Sequence, residues 1–91
     1  MRNSLMRITL RQLQVFRAVC EHLSYSRAAE AMALTQPAVS LQMRQLEELI
    51  DHPLFEYVGK RLYLTQAAEG LLQASTDVFQ RLDELDMELS E

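Results

Sequence analysis

The stretch LTQPAVSLQMRQLE, Leu34 to Glu47, decides how this sequence folds. It sets Pro37, one of the chain's two prolines, into otherwise helix-favouring sequence. Proline is at home in the first turn of a helix, where its missing N–H has no intrahelical partner to lose and its fixed φ suits initiation. Thr35, just ahead of it, is a good N-cap. The stretch therefore predicts a helix from Gln36 to about Ile50. Stepping 100° per residue from Val39 gathers Met43, Leu46, Leu49 and Ile50 on one stripe. Pro37, Leu41, Arg44 and Glu48 fall opposite, with Ser40 on the flank, so Leu41 is expected to point at solvent. A lone exposed leucine is ordinary, and two readings of it stand: plain surface, or contact with a partner.

Upstream, Thr9 followed by Gln12 reads as a capping box opening a first helix. Leu13, Phe16, Cys20 and Leu23 follow at spacings of three and four, an apolar stripe with Arg11, Arg17 and Glu21 on the other side. Cys20 on that stripe reads as a small core residue rather than a reactive thiol. Ser24 can cap a second, short helix carrying Arg27-Ala28-Ala29-Glu30-Ala31-Met32, whose small residues let another helix cross closely. Ala33-Leu34 then makes a tight turn without glycine, leading into the proline-bearing helix.

Downstream, Asp51-His52-Pro53 ends that helix. Leu54–Val58 and Arg61–Thr65 are short apolar and aromatic runs joined by Gly59-Lys60, which predicts a hairpin with a type II′ turn. Leu62 and Leu64 share one of its faces, Arg61 and Tyr63 the other. Thr65 can cap a last helix. In it Ala68, Leu71, Ser75, Val78, Leu82, Leu85 and Leu89 follow the three–four alternation of a coiled-coil seam. The pattern runs to the end of the chain without a C-cap, as expected for part of something longer.

The totals fit this layout. The 91 residues are 48% apolar with two glycines and two prolines, a composition for one small, mostly helical domain. MRNSLMRI has Arg2 and Arg7 but no apolar core of a signal peptide behind them, and no run approaches a membrane span. Cys20 is the only cysteine, so no internal disulfide forms, and a cytoplasmic setting is expected. The net charge of −4 argues against a nucleic-acid partner until it is divided. Residues 1–65 carry eight basic and six acidic side chains, a balance of +2, whereas 66–91 carry Arg81 and seven acids, a balance of −6. The acidic segment is expected to lie away from any phosphate backbone.

Two helices joined by a tight turn and followed by a hairpin describe a winged helix-turn-helix. LRQLQVFRAV (10–19), SYSRAAEAMALTQPAVSLQMRQLE (24–47), PLFEYVGKRLYLT (53–65) and AAE (67–69) cover most of the chain. In their order and spacing they resemble the N-terminal DNA-binding domains of LysR-type transcriptional regulators. TQPAVSLQMRQLE with GKRLYLT is most similar to the subgroup controlling carbon-fixation genes. The fold class so expected is mainly α: a winged helix-turn-helix of three helices and a short two-stranded wing over 1–65, then a long linker helix for dimerisation over 66–91. The family's effector-binding domain is expected to lie outside this chain, so that no small-molecule effector binds this fragment and no cofactor is needed.

The resemblance implies a bacterial transcription regulator that binds double-stranded DNA at an interrupted inverted repeat. It would do so as a homodimer, with a tetramer open to the full-length protein. The third helix would enter the major groove and the wing the flanking minor groove. Thr35, Gln36, Pro37 and Ser40 match contact positions at the start of the third helix. Leu41 stands where many members have arginine, so a guanine contact does not carry over, but a leucine there can pack on a thymine methyl. Arg44, a turn later, can reach a base or phosphate, while Glu48 would be repelled, so the helix is expected to enter by its N-terminal half. Lys60 and Arg61 suit phosphate or minor-groove contact, with a plain solvated turn as the other reading. Ser24 and Arg27, opening the second helix, complete the expected DNA contacts.

Three further positions depart from the family pattern. Tyr57 replaces a usual arginine, Asp51 a common helix-ending glycine, and Ala68 another glycine. Leu71, Val78, Leu82, Leu85 and Leu89 are the expected dimerisation residues, antiparallel by resemblance. The residues themselves leave the orientation open, since Arg81 can meet Asp86 of a parallel mate or Glu88 of an antiparallel one. Leu72 and Phe79, beside the seam, can pack back on the winged domain.

Other classes fit less well. His22 and His52 are isolated, with no nucleophile or carboxylate at motif spacing and no glycine-rich phosphate loop, which argues against catalysis and against a zinc site. A winged helix that has lost DNA binding and serves protein interaction stays open, because Leu41 and Tyr57 replace two arginines. Structured RNA is disfavoured, since a helix shaped for a major groove has poor access to A-form RNA.

Overall fold

A computed structural model describes residues 3–91; Met1 and Arg2, the latter counted in the charge of the first segment, lie outside the described residues. A 3₁₀ turn over Asn3–Arg7 leads into α1 (Leu10–His22), α2 (Tyr25–Met32) and α3 (Gln36–Ile50). The strands β1 (Phe55–Val58) and β2 (Arg61–Leu64) follow, and α4 (Gln66–Leu89) closes the chain.

Each helix starts where a side-chain oxygen satisfies an orphan N–H. Thr9 accepts from the Gln12 backbone N–H at 3.0 Å while the Gln12 amide oxygen accepts from the Thr9 N–H at 2.9 Å, the predicted capping box. Ser24, Thr35 and Thr65 accept from the N–H three residues on, at 3.2, 3.3 and 3.1 Å. Such a cap is worth about 1 kcal/mol. Pro37 sits in the first turn of α3, as its chemistry requires. Helices α1, α2 and α3 end on Leu23, Ala33 and Asp51, all left-handed with φ of 49°, 54° and 63°. None is glycine, so each ending costs some backbone strain.

β1 and β2 pair antiparallel, Phe55 with Leu64 and Val58 with Arg61, leaving Gly59-Lys60 as a two-residue loop. Gly59 has φ of +61° and no positive φ occurs at Lys60, the sign pattern of a type II′ turn. Leu62 is buried and Leu64 half-buried, while Arg61 and Tyr63 are exposed, so the hairpin has the expected sidedness.

The core joins Val15, Phe16 and Val19 of α1 to Ala28 and Ala29 of α2, Val39, Met43, Leu46 and Ile50 of α3, Leu54, and Phe55 and Leu62 of the wing. The alanines of α2 let the two neighbouring helices close in, and Phe55 packs 5.7 Å from Phe16 and 6.0 Å from Tyr25, ring centre to ring centre. Burial is deeper on α1 than its stripe predicts: Val15, Ala18 and Val19 are covered as well.

One reading needs correction. Leu23 lies outside the apolar face of α1 and is exposed, because the helix ends at His22 and the left-handed cap turns Leu23 outward. The 3₁₀ turn before α1, packed against α3, had no predicted counterpart.

Helix α4 divides into two parts. Ala68 and Ser75 are fully buried, and Leu71 and Leu72 pack against the core of the winged domain. Ser75 answers its burial by donating its hydroxyl to the Leu72 carbonyl at 2.9 Å. Phe79 leans back as expected, and the Arg17 guanidinium stacks over its ring at 5.0 Å, a cation–π contact. Beyond it, residues 80–91 are all exposed.

Candidate nucleic-acid interface

Burying Val39, Met43, Leu46 and Ile50 leaves α3 with a polar outer face, and Gln36, Pro37, Leu41, Arg44 and Glu48 are all exposed on it. Leu41 keeps 48% of its surface despite its apolar side chain. Ser40 is half-buried on the flank, and its hydroxyl oxygen accepts a 2.7 Å hydrogen bond from the Gln36 side-chain nitrogen. That bond holds the Gln36 amide along the helix and leaves its carbonyl oxygen, and the Ser40 hydroxyl proton, without a partner among the described residues. An acceptor and a donor side by side are what base edges in a major groove offer partners for.

The helix starts add positive potential. Thr35 at the head of α3 and Ser24 at the head of α2 each use an oxygen lone pair for capping, which leaves the hydroxyl proton free to donate. Behind each stand the N–H groups and positive dipole end of a helix, a favourable place for a phosphate oxygen. Arg27, in the first turn of α2, is exposed beside His22 and Glu30.

Lys60 and Arg61 stand at the wing tip, away from the core. The ion pairs found among the described residues both use Arg81, so Arg27, Arg44, Lys60 and Arg61 make no ion pair within 4.0 Å among them. Lys60, Arg61, Tyr63, Leu23 and Glu69 line a groove of about 500 Å³ between the wing and the start of α4. Glu69, from the acidic segment, thus shares this groove with the wing's two cations. Tyr57, the departure on the other strand, is 65% exposed.

Residues 10–69 match the bacterial regulatory helix-turn-helix proteins of the lysR family. The chain belongs to the LysR family. It is 46% identical over 87 residues to a RuBisCO operon transcriptional regulator of Acidithiobacillus ferrooxidans, covering 96% of this chain and 28% of that protein. It is 49% identical over 83 residues to the HTH-type transcriptional regulator CbbR of Rhodospirillum rubrum, covering 84% of this chain and 28% of the relative. The LysR-family chain thus spans less than a third of the length of these relatives.

Among solved structures, it is similar to a LysR-family transcriptional regulator from Eggerthella lenta, with 39% identity and a TM-score of 0.73 over 76% of this chain and 99% of that one. It also matches the BenM DNA-binding domain in complex with benA site 1 DNA, with 26% identity and a TM-score of 0.84 over 91% and 93% of the two chains. The shared architecture is that of a winged helix-turn-helix.

The remaining site residues fall at the far end. Val78, Leu82, Leu85 and Leu89 are exposed on α4, whereas Leu71 packs within the chain, so only its uncovered part is available to a mate. Arg81 lies 3.8 Å from Glu84 and 3.9 Å from Glu88 of the same helix. These exposed pairs run along one helix and are weak.

Two residues with a structural part in the site were missed as such. In sequence Glu47 is one acid among several and Thr65 only a cap, yet both grip the base of the wing. The Glu47 side chain accepts from the Leu54 N–H at 2.7 Å, and the Thr65 hydroxyl donates to the Pro53 carbonyl at 2.7 Å. No spacing rule signals contacts that run between a helix, a loop and a strand end.

Proposed function

We propose that this chain binds double-stranded DNA sequence-specifically, as a dimer, to regulate transcription. The observation that carries the reading is the exposed outer face of α3, with capped helix starts and exposed cations around it, in a chain of the LysR family. In this reading residues 1–65 are the DNA-binding unit and 66–91 the dimerisation helix. Thr35, Gln36, Pro37, Ser40, Leu41 and Arg44 meet the major groove. Lys60 and Arg61 reach the flank, and Ser24 and Arg27 hold phosphates.

Leu41 replaces hydrogen-bond readout with apolar contact and favours a thymine methyl. Val78, Leu82, Leu85 and Leu89 pair with a mate. The work is that of a cytoplasmic regulator and not of an enzyme. Similarity to RuBisCO operon regulators supports carbon-fixation genes as the targets of the whole protein.

Selection from a pool of random duplex DNA at moderate salt tests this. Enrichment of an interrupted inverted repeat is the expected result. One observation favours a second reading, a protein-interaction module: Leu41 and Tyr57 are both well exposed where the family commonly has arginine. A folded dimer that enriches no motif would support it.

A further inference from the structure

The wing joins the rest of the molecule at Leu54, and hydrogen bonds converge there from two sides. The Leu54 N–H donates to the Glu47 carboxylate at 2.7 Å, in a part-buried setting. The Leu54 carbonyl accepts from the Thr65 N–H at 3.0 Å and from the Thr65 hydroxyl at 3.3 Å. The same hydroxyl lies 2.7 Å from the Pro53 carbonyl. Thr65 thus closes the open end of the hairpin, tying the residue before β1 to the residue after β2, while Glu47 ties that closed end to α3. Glu47 also closes the helix itself, since its backbone carbonyl accepts from the Asp51 N–H at 2.7 Å. Loop 51–54 is therefore bracketed by one residue, at its start by the main chain and at its end by the side chain.

Among the described residues, no other side chain of α3 makes a hydrogen bond to the wing or to its base. The Leu54 side chain is fully buried beneath the bond, so a shift of the wing root would have to open the core. Tyr25, which packs edge-on against Phe55 at the start of β1, feels the same carboxylate. Its phenol is pushed up to about 12, by burial first and then by the charges of Glu47 and Tyr57.

We propose that Glu47 is a positioning residue for duplex binding: by holding the Leu54 N–H it fixes the wing against α3, so that wing tip and outer face of α3 reach one duplex together. The proposal rests on the DNA-binding reading above. Glu47 touches no DNA in it; the side chain faces the wing root, and its effect passes through Leu54 to Lys60 and Arg61.

Three variants separate reach from charge. Glu47→Asp keeps the charge on a side chain one methylene shorter, Glu47→Gln keeps the reach and an acceptor oxygen without the charge, and Glu47→Leu loses both functions. Hydroxyl-radical footprinting of the whole chain on a selected duplex reads the half-site centre and its flank separately. Glu47→Asp and Glu47→Leu are expected to keep the centre and lose the flank. Their binding should weaken about tenfold, as for a wing correctly placed a tenth of the time. Glu47→Gln should protect both regions. An intact flank in the Asp variant, or a flank lost equally in the Gln variant, overturns the proposal.

A DNA-free measurement keeps the two readings apart. Residual dipolar couplings of amides 55–64 should no longer fit the frame of α3 in Glu47→Asp, while wild type and Glu47→Gln agree. Couplings unchanged in Glu47→Asp overturn the proposal whatever the DNA shows. Couplings that depend on Glu47, in a wild-type chain that leaves no footprint, uphold the tie and remove the DNA-binding reading alone.

Discussion

Helices α3 and α4 each carry an apolar stripe, but only that of α3 is covered along its length by this chain. Val39, Met43, Leu46 and Ile50 are buried, and their burial turns Pro37, Leu41 and Arg44 outward. On α4 the cover stops after Ser75 and the Arg17–Phe79 stack. Val78, Leu82 and Leu85 then remain 39, 41 and 40% exposed at the spacing of a seam. The same periodicity thus has two consequences. Where a partner lies within the chain it builds a core and displays the opposite face; where none does, it displays itself.

The largest expected effect lies on the covered stripe. Leu46→Ala should destabilise the fold by about 2–5 kcal/mol, through lost burial and the cavity left behind. Denaturant unfolding measures it, and a loss near zero would mean that α3 is not the pillar of the core. On the open stripe the opposite is expected. Leu82→Glu should leave the fold of the single chain intact, by circular dichroism, and give monomers in sedimentation. Dimers that persist would show that α4 pairs by another face.

A smaller effect belongs to the displayed face of α3. Leu41→Ala should cost about 1–3 kcal/mol at one base pair and relax sequence preference there. Preference that survives the change would mark Leu41 as plain surface. Lys60→Ala should weaken binding to all duplexes alike and lower the slope of log K against log salt by about one. Loss confined to the selected site would reassign Lys60 to base reading.

The interior also titrates apart from the surface. Burial raises the Cys20 thiol from 9.0 to about 12, and the Tyr25 phenol is raised from 10.0 to about 12. The fold favours the neutral form of both. Their contribution is complete below the ordinary values and is lost as pH climbs through about 9 to 12, so unfolding free energy should fall over that window. Stability flat to pH 12 would place both groups in water.

Most of this layout was legible because its signals are local. Thr9 with Gln12, Thr35 before Pro37, and Gly59-Lys60 between two short apolar runs each act within four residues, where side chain and backbone are bound to meet. The Gln36–Ile50 helix emerges with its predicted ends for that reason. Leu23 departs from its expected place because periodicity places residues around a helix but does not say where the helix ends.

Contacts between elements were harder to read. The Glu47–Leu54 bond and Glu69 beside Lys60 depend on how α3, the wing and α4 come together, which no window of sequence displays. The Arg17–Phe79 stack was half legible, since only Phe79 was expected to turn inward. The α4 seam was overextended for the same reason: its first members, Ala68, Leu71 and Ser75, face the core of their own chain.

In the proposed function a displayed α3 face reads DNA and a displayed α4 stripe pairs the readers. Selection from random duplexes with the wild-type chain and with Leu82→Glu, side by side, tests both halves at once. An interrupted inverted repeat is expected for wild type and a single half-site, bound more weakly, for the variant. The same inverted repeat from a monomeric variant, or no motif from folded dimeric wild type, would contradict the proposed function.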